Sequence, residues 1–234
     1  MAILTQISFL LYDLLHLVYP KICVACGENL LSHEDHICTS CLFNLPKTNY
    51  HQTNENPIAQ LFWGRVKIFR ACSYFFFNKG SKFQKLIHKL KYEGKKEIGY
   101  ELGLHFGSDL ASSEDFSSVD IIIPVPLHES KEKLRGYNQS TWIAQGISAS
   151  MDKPVDSENL KRLKANETQT KKSRFERWEN VKSVFQVLDT KAFENKHILL
   201  VDDVVTTGST LEACAQELAR INNIKISIAT LAAA

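Results

Sequence analysis

His197-Ile-Leu-Leu-Val-Asp202-Asp203-Val-Val-Thr206-Thr207-Gly208-Ser209-Thr210 is the stretch on which the fold turns. An apolar run ends in two adjacent carboxylates. A loop of hydroxyls and glycine then leads straight into a helical pattern with Leu211, Ala215 and Leu218 on one face. That order puts the carboxylates at the C-terminal edge of a strand, where open α/β sheets bind their ligands. The loop offers backbone N–H groups, hydroxyls and a helix N-terminus to an anion, most naturally a phosphate. Gly208 lets the backbone approach closely and take a conformation denied to other residues. Asp202 and Asp203 repel an anion, so they suit what lies beside it: the hydroxyls of a ribose, or a magnesium ion. The combined expectation is a sugar phosphate lying across the strand end. A Walker-type site is excluded, because the chain has no G-x4-G-K-[S/T] loop.

Outward from this stretch, strands and helices alternate. Strands are expected over 71–77, 119–125, 182–188, 197–201 and 224–231. Helices are expected after a Ser81 cap, with Phe83, Leu86, Ile87 and Leu90 on one face, and over 98–110, 138–149 and 209–221. Alternation of this kind argues for an α/β fold with a mainly parallel sheet flanked by helices.

The N-terminal part has a different logic. Cys23-x2-Cys26 and Cys38-x2-Cys41 are two close pairs whose thiolates can converge tetrahedrally on one metal. Gly27 suits the sharp turn after Cys26. Zinc in a closed, structural four-cysteine site is the expectation, although His33 or His36 could replace one thiolate. Cys72 and Cys214 stand apart and read as small buried hydrophobes. The division expected is 1–46 for an amphipathic helix and the cysteine module, 47–62 for a polar linker, and 63–234 for the larger domain.

A second basic constellation follows the strand at 119–125. Lys131, Lys133, Arg135 and Gly136 at the end of a buried strand form a natural seat for a diphosphate. Residues 161–182 carry eight Lys/Arg against three Glu. A solvated loop is the default reading of such a run. The functional reading is a lid over an anionic substrate, carried by Lys171, Lys172, Arg174 and Arg177.

Composition narrows the class. The 234 residues carry 28 Lys+Arg against 26 Asp+Glu, so bulk charge does not point to nucleic acid. No apolar run is long enough for a spanning helix. Residues 3–19 lack the basic flank and small-residue cleavage site of a signal peptide, and read as an amphipathic helix. A cytoplasmic protein without a membrane span is expected.

The strand, acidic pair and Thr206-Thr207-Gly208-Ser209-Thr210 loop resemble the signature of the type I phosphoribosyltransferases. The order of further motifs narrows this. The paired cysteines, Leu61-Phe-Trp63-Gly-Arg65, Leu90-Lys-Tyr92-Glu-Gly94, Pro124-Val-Pro-Leu-His128, Arg135-Gly-Tyr-Asn-Gln139 and Gln169-Thr170…Arg174…Arg177…Asn180-Val181 are similar to the ComF family. The resemblance implies a phosphoribosyltransferase-type fold that binds phosphoribosyl pyrophosphate (PRPP), or a nucleotide, with magnesium. Asp202 and Asp203 would contact the ribose hydroxyls and residues 206–210 the 5′-phosphate. It further implies phosphoribosyl transfer, a pentosyl-type reaction, in competence and the handling of single-stranded DNA beside a helicase-like partner. The alternative is a non-catalytic module that binds PRPP or nucleic acid and scaffolds DNA import. Lys131 stands where the family more often has arginine, which weakens bidentate phosphate recognition there.

Overall fold

The computed structural model describes residues 20–78, 80–163 and 184–234. The helix expected over 3–19 and the lid residues Lys171, Lys172, Arg174 and Arg177 lie outside them.

The central sheet has strands β1 (Arg70–Phe76), β2 (Ile121–Pro124), β5 (His197–Val205) and β6 (Lys225–Ala233). Its order is β1-β6-β5-β2, and every pairing is parallel. A parallel sheet covered on both faces needs strands that are apolar on both faces. β5 meets this: Leu199 and Val201 pack into one hydrophobic cluster, Ile198 and Leu200 into the other. The first cluster is completed by α3 (Gln84–Tyr92), α4 (Glu97–Ala111) and α7 (Gln139–Met151). The second is completed by α2 (Pro57–Gln60) and α8 (Ser209–Leu218). α4 and α7 run in near backbone contact, since a Cβ on Gly103 would stand 2.4 Å from the Ile143 carbonyl oxygen. Short helices α1 (Thr39–Phe43), α5 (Glu114–Ser117) and α6 (Glu129–Arg135) complete the set.

Three expectations change. The 197–201 strand continues to Val205, so the aspartates lie within β5 and not beyond it. The strand expected over 182–188 appears as β4 (Phe185–Val187), outside the central sheet; it pairs antiparallel with β3 (Leu160–Arg162). The polar stretch expected as a linker is packed: His51 and Asn56 are buried, and the Asn56 amide donates to the Ala71 carbonyl. Polar composition misled here because side-chain amides and hydroxyls are spent on backbone groups of β1. Part of this stretch also covers the open edge of β1. Thr48 N–H donates to the Tyr74 carbonyl and Phe76 N–H to the Pro46 carbonyl. Residues 154–156 cover β2 in the same manner, through Ile122.

The cysteine module shares the first cluster. Cys23, Ala25, Ile37, Cys38, Cys41 and Leu45 belong to the same buried core as Leu102 and Phe106 of α4. Glu101 of α4 reaches the module, where the backbone N–H groups of Ile37 and His36 lie near its carboxylate. Burial pushes its carboxyl up to about 7.

Candidate functional site

The four cysteine sulfurs lie within 4.8 Å of one another, an arrangement that could hold a metal ion. Cys26 Sγ and Cys38 Sγ are 3.7 Å apart. Two backbone donors aim at sulfur: Cys38 N–H at Cys23 Sγ (3.3 Å) and Cys41 N–H at Cys38 Sγ (3.4 Å). Burial raises the Cys23 thiol, but N–H groups of Cys38, Cys26 and Ala25 outweigh it and bring the thiol down to about 6. A thiolate, the form that ligates metal, is favoured there. His33 and His36 are not part of this cluster. Glu34 braces the module by accepting from Leu31 N–H and Thr39 N–H, which lowers its carboxyl to about 2.

Near the C-terminal end of β5 stand Asp202 and Asp203, adjacent in the chain. The Ser140 hydroxyl, in the first turn of α7, donates to Asp202 Oδ1 at 2.9 Å, and Asp203 N–H donates to the same oxygen at 2.8 Å. Asp203 is buried and ion-paired with Lys91 Nζ at 2.9 Å. Burial, and then the charge of Asp203, push the Asp202 carboxyl up to about 7. Near neutral pH this group both donates and accepts, which fits hydroxyl ligands.

The loop follows at once. Thr206, Thr207, Ser209 and Thr210 are exposed, and Gly208 is buried with φ +74°, in the left-handed region. The Thr207 and Ser209 hydroxyls are 2.9 Å apart. Residues 204–211 and Asp202 enclose a cavity of about 70 Å³ at the N-terminus of α8. Carboxylate, hydroxyls and helix end are thus brought together as the sequence suggests.

The basic residues after β2 are placed differently. Read as a loop, Lys131, Lys133 and Arg135 instead lie on α6, capped by His128 and closed by Gly136. Glu129 and Glu132 in the first turn, with Lys133 and Arg135 in the last, favour a helix through its dipole. Lys133 pairs with Glu129 at 3.0 Å, and Arg135 donates to Gln139 Oε1 at 2.6 Å. Gly136 and Asn138 line a cleft of about 520 Å³ with His128, Trp142 and Arg162. Neither aspartate lines that cleft.

The sequence reading missed two members of the acidic site. Lys91 is one of several lysines in and just before α3, a pattern that suggests a solvated basic face, but it turns inward to Asp203. Its place next to the buried Leu90 was the available signal. Ser140 gave no signal of its own. The end of α3 also ties the site to α6: the Tyr137 hydroxyl donates to the Leu90 carbonyl, and the Arg135 guanidinium lies over the Tyr92 ring.

The all-parallel sheet, with an acidic pair and an anion-ready loop at one strand end, lies mostly within a stretch that matches a known family. Residues 103–234 match the phosphoribosyl transferase domain, and the chain belongs to that family. Its similar relatives include competence proteins and a DNA utilization protein, in line with the ComF resemblance. Competence protein F of Haemophilus influenzae is 37% identical over 116 residues, 49% of this chain and 51% of that one. DNA utilization protein YhgH of Escherichia coli (strain K12) is 34% identical over 138 residues, covering 58% and 60%. Competence protein ComFC of Bacillus subtilis is 28% identical over 205 residues, covering 84% and 77%. The matched stretch thus spans only 51% and 60% of the lengths of the first two. Among solved structures, glutamine PRPP amidotransferase from B. subtilis, complexed with ADP and GMP, aligns at TM-score 0.42. Its identity is 17%, over 61% of this chain and 30% of that chain. Purine phosphoribosyltransferase from Pyrococcus horikoshii Ot3 aligns at 0.37, with 20% identity over 58% and 73%. Among the described residues, no helix is long and apolar enough to cross a membrane.

Proposed function

We propose that the chain binds PRPP at the end of β5 and transfers its phosphoribosyl group. The observation that carries this is that Asp202, next to Asp203 in β5, lines one cavity together with residues 204–211. The 5′-phosphate sits against the N–H groups and hydroxyls of residues 206–210, and Asp202 and Asp203 hold the ribose hydroxyls. Lys91 pairs with Asp203, and Ser140 orients Asp202. Positive charge developing at the anomeric carbon is stabilised by the same carboxylates. Magnesium fits only as a companion of the diphosphate, because the protein offers it two carboxylates and the ligand supplies the remaining oxygens. When bound, it neutralises charge on the departing diphosphate. Lys131, Lys133, Arg135 and Gly136 are the proposed protein contacts to that diphosphate, made once the α6 pairs open. A role in competence or DNA utilization follows the relatives' names; that it is the handling of single-stranded DNA in the cytoplasm is part of this proposal, on the ComF resemblance.

The experiment is a screen of PRPP consumption against nucleobases, amines and water. Turnover that disappears in Asp202→Asn/Asp203→Asn, with the melting temperature held, supports transfer. Each lost charge-assisted hydrogen bond is worth about 1.5–3 kcal/mol, so the double variant should bind PRPP below detection. PRPP binding equal to the parent's would overturn the ribose assignment.

The cysteine cluster is proposed to hold one structural zinc. Four thiols in mutual reach leave no open position for hydrolytic chemistry. Elemental analysis of protein purified without chelator should give one zinc per chain, and Cys26→Ser should release it. Because the module shares its core with α4, that variant should also melt well below the parent.

A second reading, a non-catalytic binder of PRPP or nucleic acid, rests on Lys82, just before α3, and Lys85 on it, both exposed. Salt-sensitive single-strand binding that survives loss of Asp202 would favour it.

A further inference from the structure

Leu61-Phe-Trp63-Gly-Arg65 lies before the region matched by the family model, and the proposed chemistry gives it no task. The structure places it against the back of the phosphate loop. Arg65 Nη1 donates to the Thr207 carbonyl at 3.1 Å and to the Leu61 carbonyl at 3.0 Å. Arg65 Nη2 forms an ion pair with Glu212, in the first turn of α8. On the same side, the Phe62 ring is so close to Gly208 that an added Cβ would meet its edge at 3.2 Å. Phe62 itself is fully buried, so this wall is fixed.

The consequence follows from peptide geometry. All peptide bonds described are trans, so the carbonyl of Thr207 and the N–H of Gly208 point in opposite directions. With the carbonyl held by Arg65, the Gly208 N–H faces away from Arg65. Gly208 lines the small cavity, and no residue of 61–65 does. The direction away from Arg65 is therefore the direction of the cavity. Glu212 adds a reason for a cation at this point: an unpaired carboxylate one turn into α8 would oppose an anion at its N-terminus.

We propose that Arg65 is a positioning residue for the phosphate seat. Its planar fork holds the Thr207–Gly208 peptide so that the Gly208 N–H faces the ligand. A lysine cannot do the same, because a single ammonium lacks the fixed fork that reaches carbonyls and carboxylate together. The seat is thus built by two parts of the chain that are far apart in sequence. This rests on reading the loop as a phosphate seat.

The test is calorimetric, with ribose 5-phosphate and inorganic pyrophosphate as separate probes. The variants are Arg65→Met, Arg65→Lys and Arg65→Met/Glu212→Gln, each checked for an unchanged melting curve. Arg65→Met should weaken ribose 5-phosphate about tenfold or more. Pyrophosphate binding should stay at the parent's level, which a general loss of fold would not allow. Arg65→Lys should recover only part of the loss. The double variant should stay weak, because removing the Glu212 charge does not restore the peptide's orientation. Full recovery in the double variant would overturn positioning and leave Arg65 as a counter-ion alone. Parent-like ribose 5-phosphate binding in Arg65→Met, or an equal loss of both probes, would also overturn it. A parent protein that binds no ribose 5-phosphate sinks the phosphate seat itself, a different and distinguishable outcome.

Discussion

Two segments leave the same edge of the sheet, one after β5 and one after β2, and they present charge in opposite ways. After β5 the backbone does the presenting: a left-handed Gly208 opens a turn, exposed hydroxyls flank it, and α8 begins at once. After β2 the charge belongs to side chains on α6, and two of them are already paired, Lys133 with Glu129 and Arg135 with Gln139. A site made of N–H groups exists as soon as the backbone is folded. A site made of long side chains must first give up its partners, and it pays for ordering them. The β5 segment should therefore tolerate little change, and the β2 segment a good deal.

The sharpest break of this contrast is Gly208→Val. A β-branched residue at φ +74° is strained, and its Cβ would press on the fixed Phe62 ring. Ribose 5-phosphate affinity should fall by about a hundredfold or more, since both the turn and the N–H directions change. Calorimetry that finds less than a threefold change would place the phosphate elsewhere.

A smaller effect should appear in the titration of the acidic pair. Asp202 has its carboxyl raised to about 7 by burial and by Asp203. A carboxyl raised in the folded state costs stability that builds up as pH rises from the ordinary carboxylate range toward the raised value and is complete above it. Asp203→Asn removes the second cause, so the Asp202 midpoint should move down while burial still holds it above the usual carboxylate range. The loss of stability on raising pH from about 4 to about 7 should shrink accordingly. Carboxyl carbon NMR and melts across about pH 4 to 8, a window that spans the ordinary and the raised value, check both. An unmoved midpoint would mean that the two carboxylates do not feel each other.

The smallest effect belongs to α6. Lys133→Gln removes a surface pair worth about 0.2–1 kcal/mol, so stability should barely change. PRPP affinity should fall by less than about fivefold. A loss as large as that of Gly208→Val would show that the β2 segment matters as much as the β5 loop, and would erase the contrast.

The same contrast explains what could be read in advance. The β5 loop was legible because its chemistry lies in consecutive residues: apolar strand, acidic pair, hydroxyls, glycine. The cysteine cluster was legible for a related reason, since two close pairs carry their own geometry. α6 was not, because basic residues with a following glycine suggest a loop until the opposing charges at its two ends are weighed. The partners from distant segments were hidden altogether. Lys91 on Asp203, Ser140 on Asp202 and Arg65 on Thr207 are separated by 62 residues or more, and no local pattern encodes such meetings. The packed stretch around Asn56 failed for another reason: polarity signals exposure only when the polar groups have nothing nearby to bind.

The covered edge of β1 has a consequence for how this chain behaves in a cell. Uncovered, β1 would display Tyr74, Phe75 and Phe76 along a row of open N–H and C=O groups, the template on which one chain recruits another. The cover consists of residues 46–48, which leave directly from the last turn of the cysteine module. Closure of the module therefore also decides whether the chain self-associates. On the zinc proposed for the module, a cell short of it should first see this protein as a precipitate, with most of its parallel sheet intact.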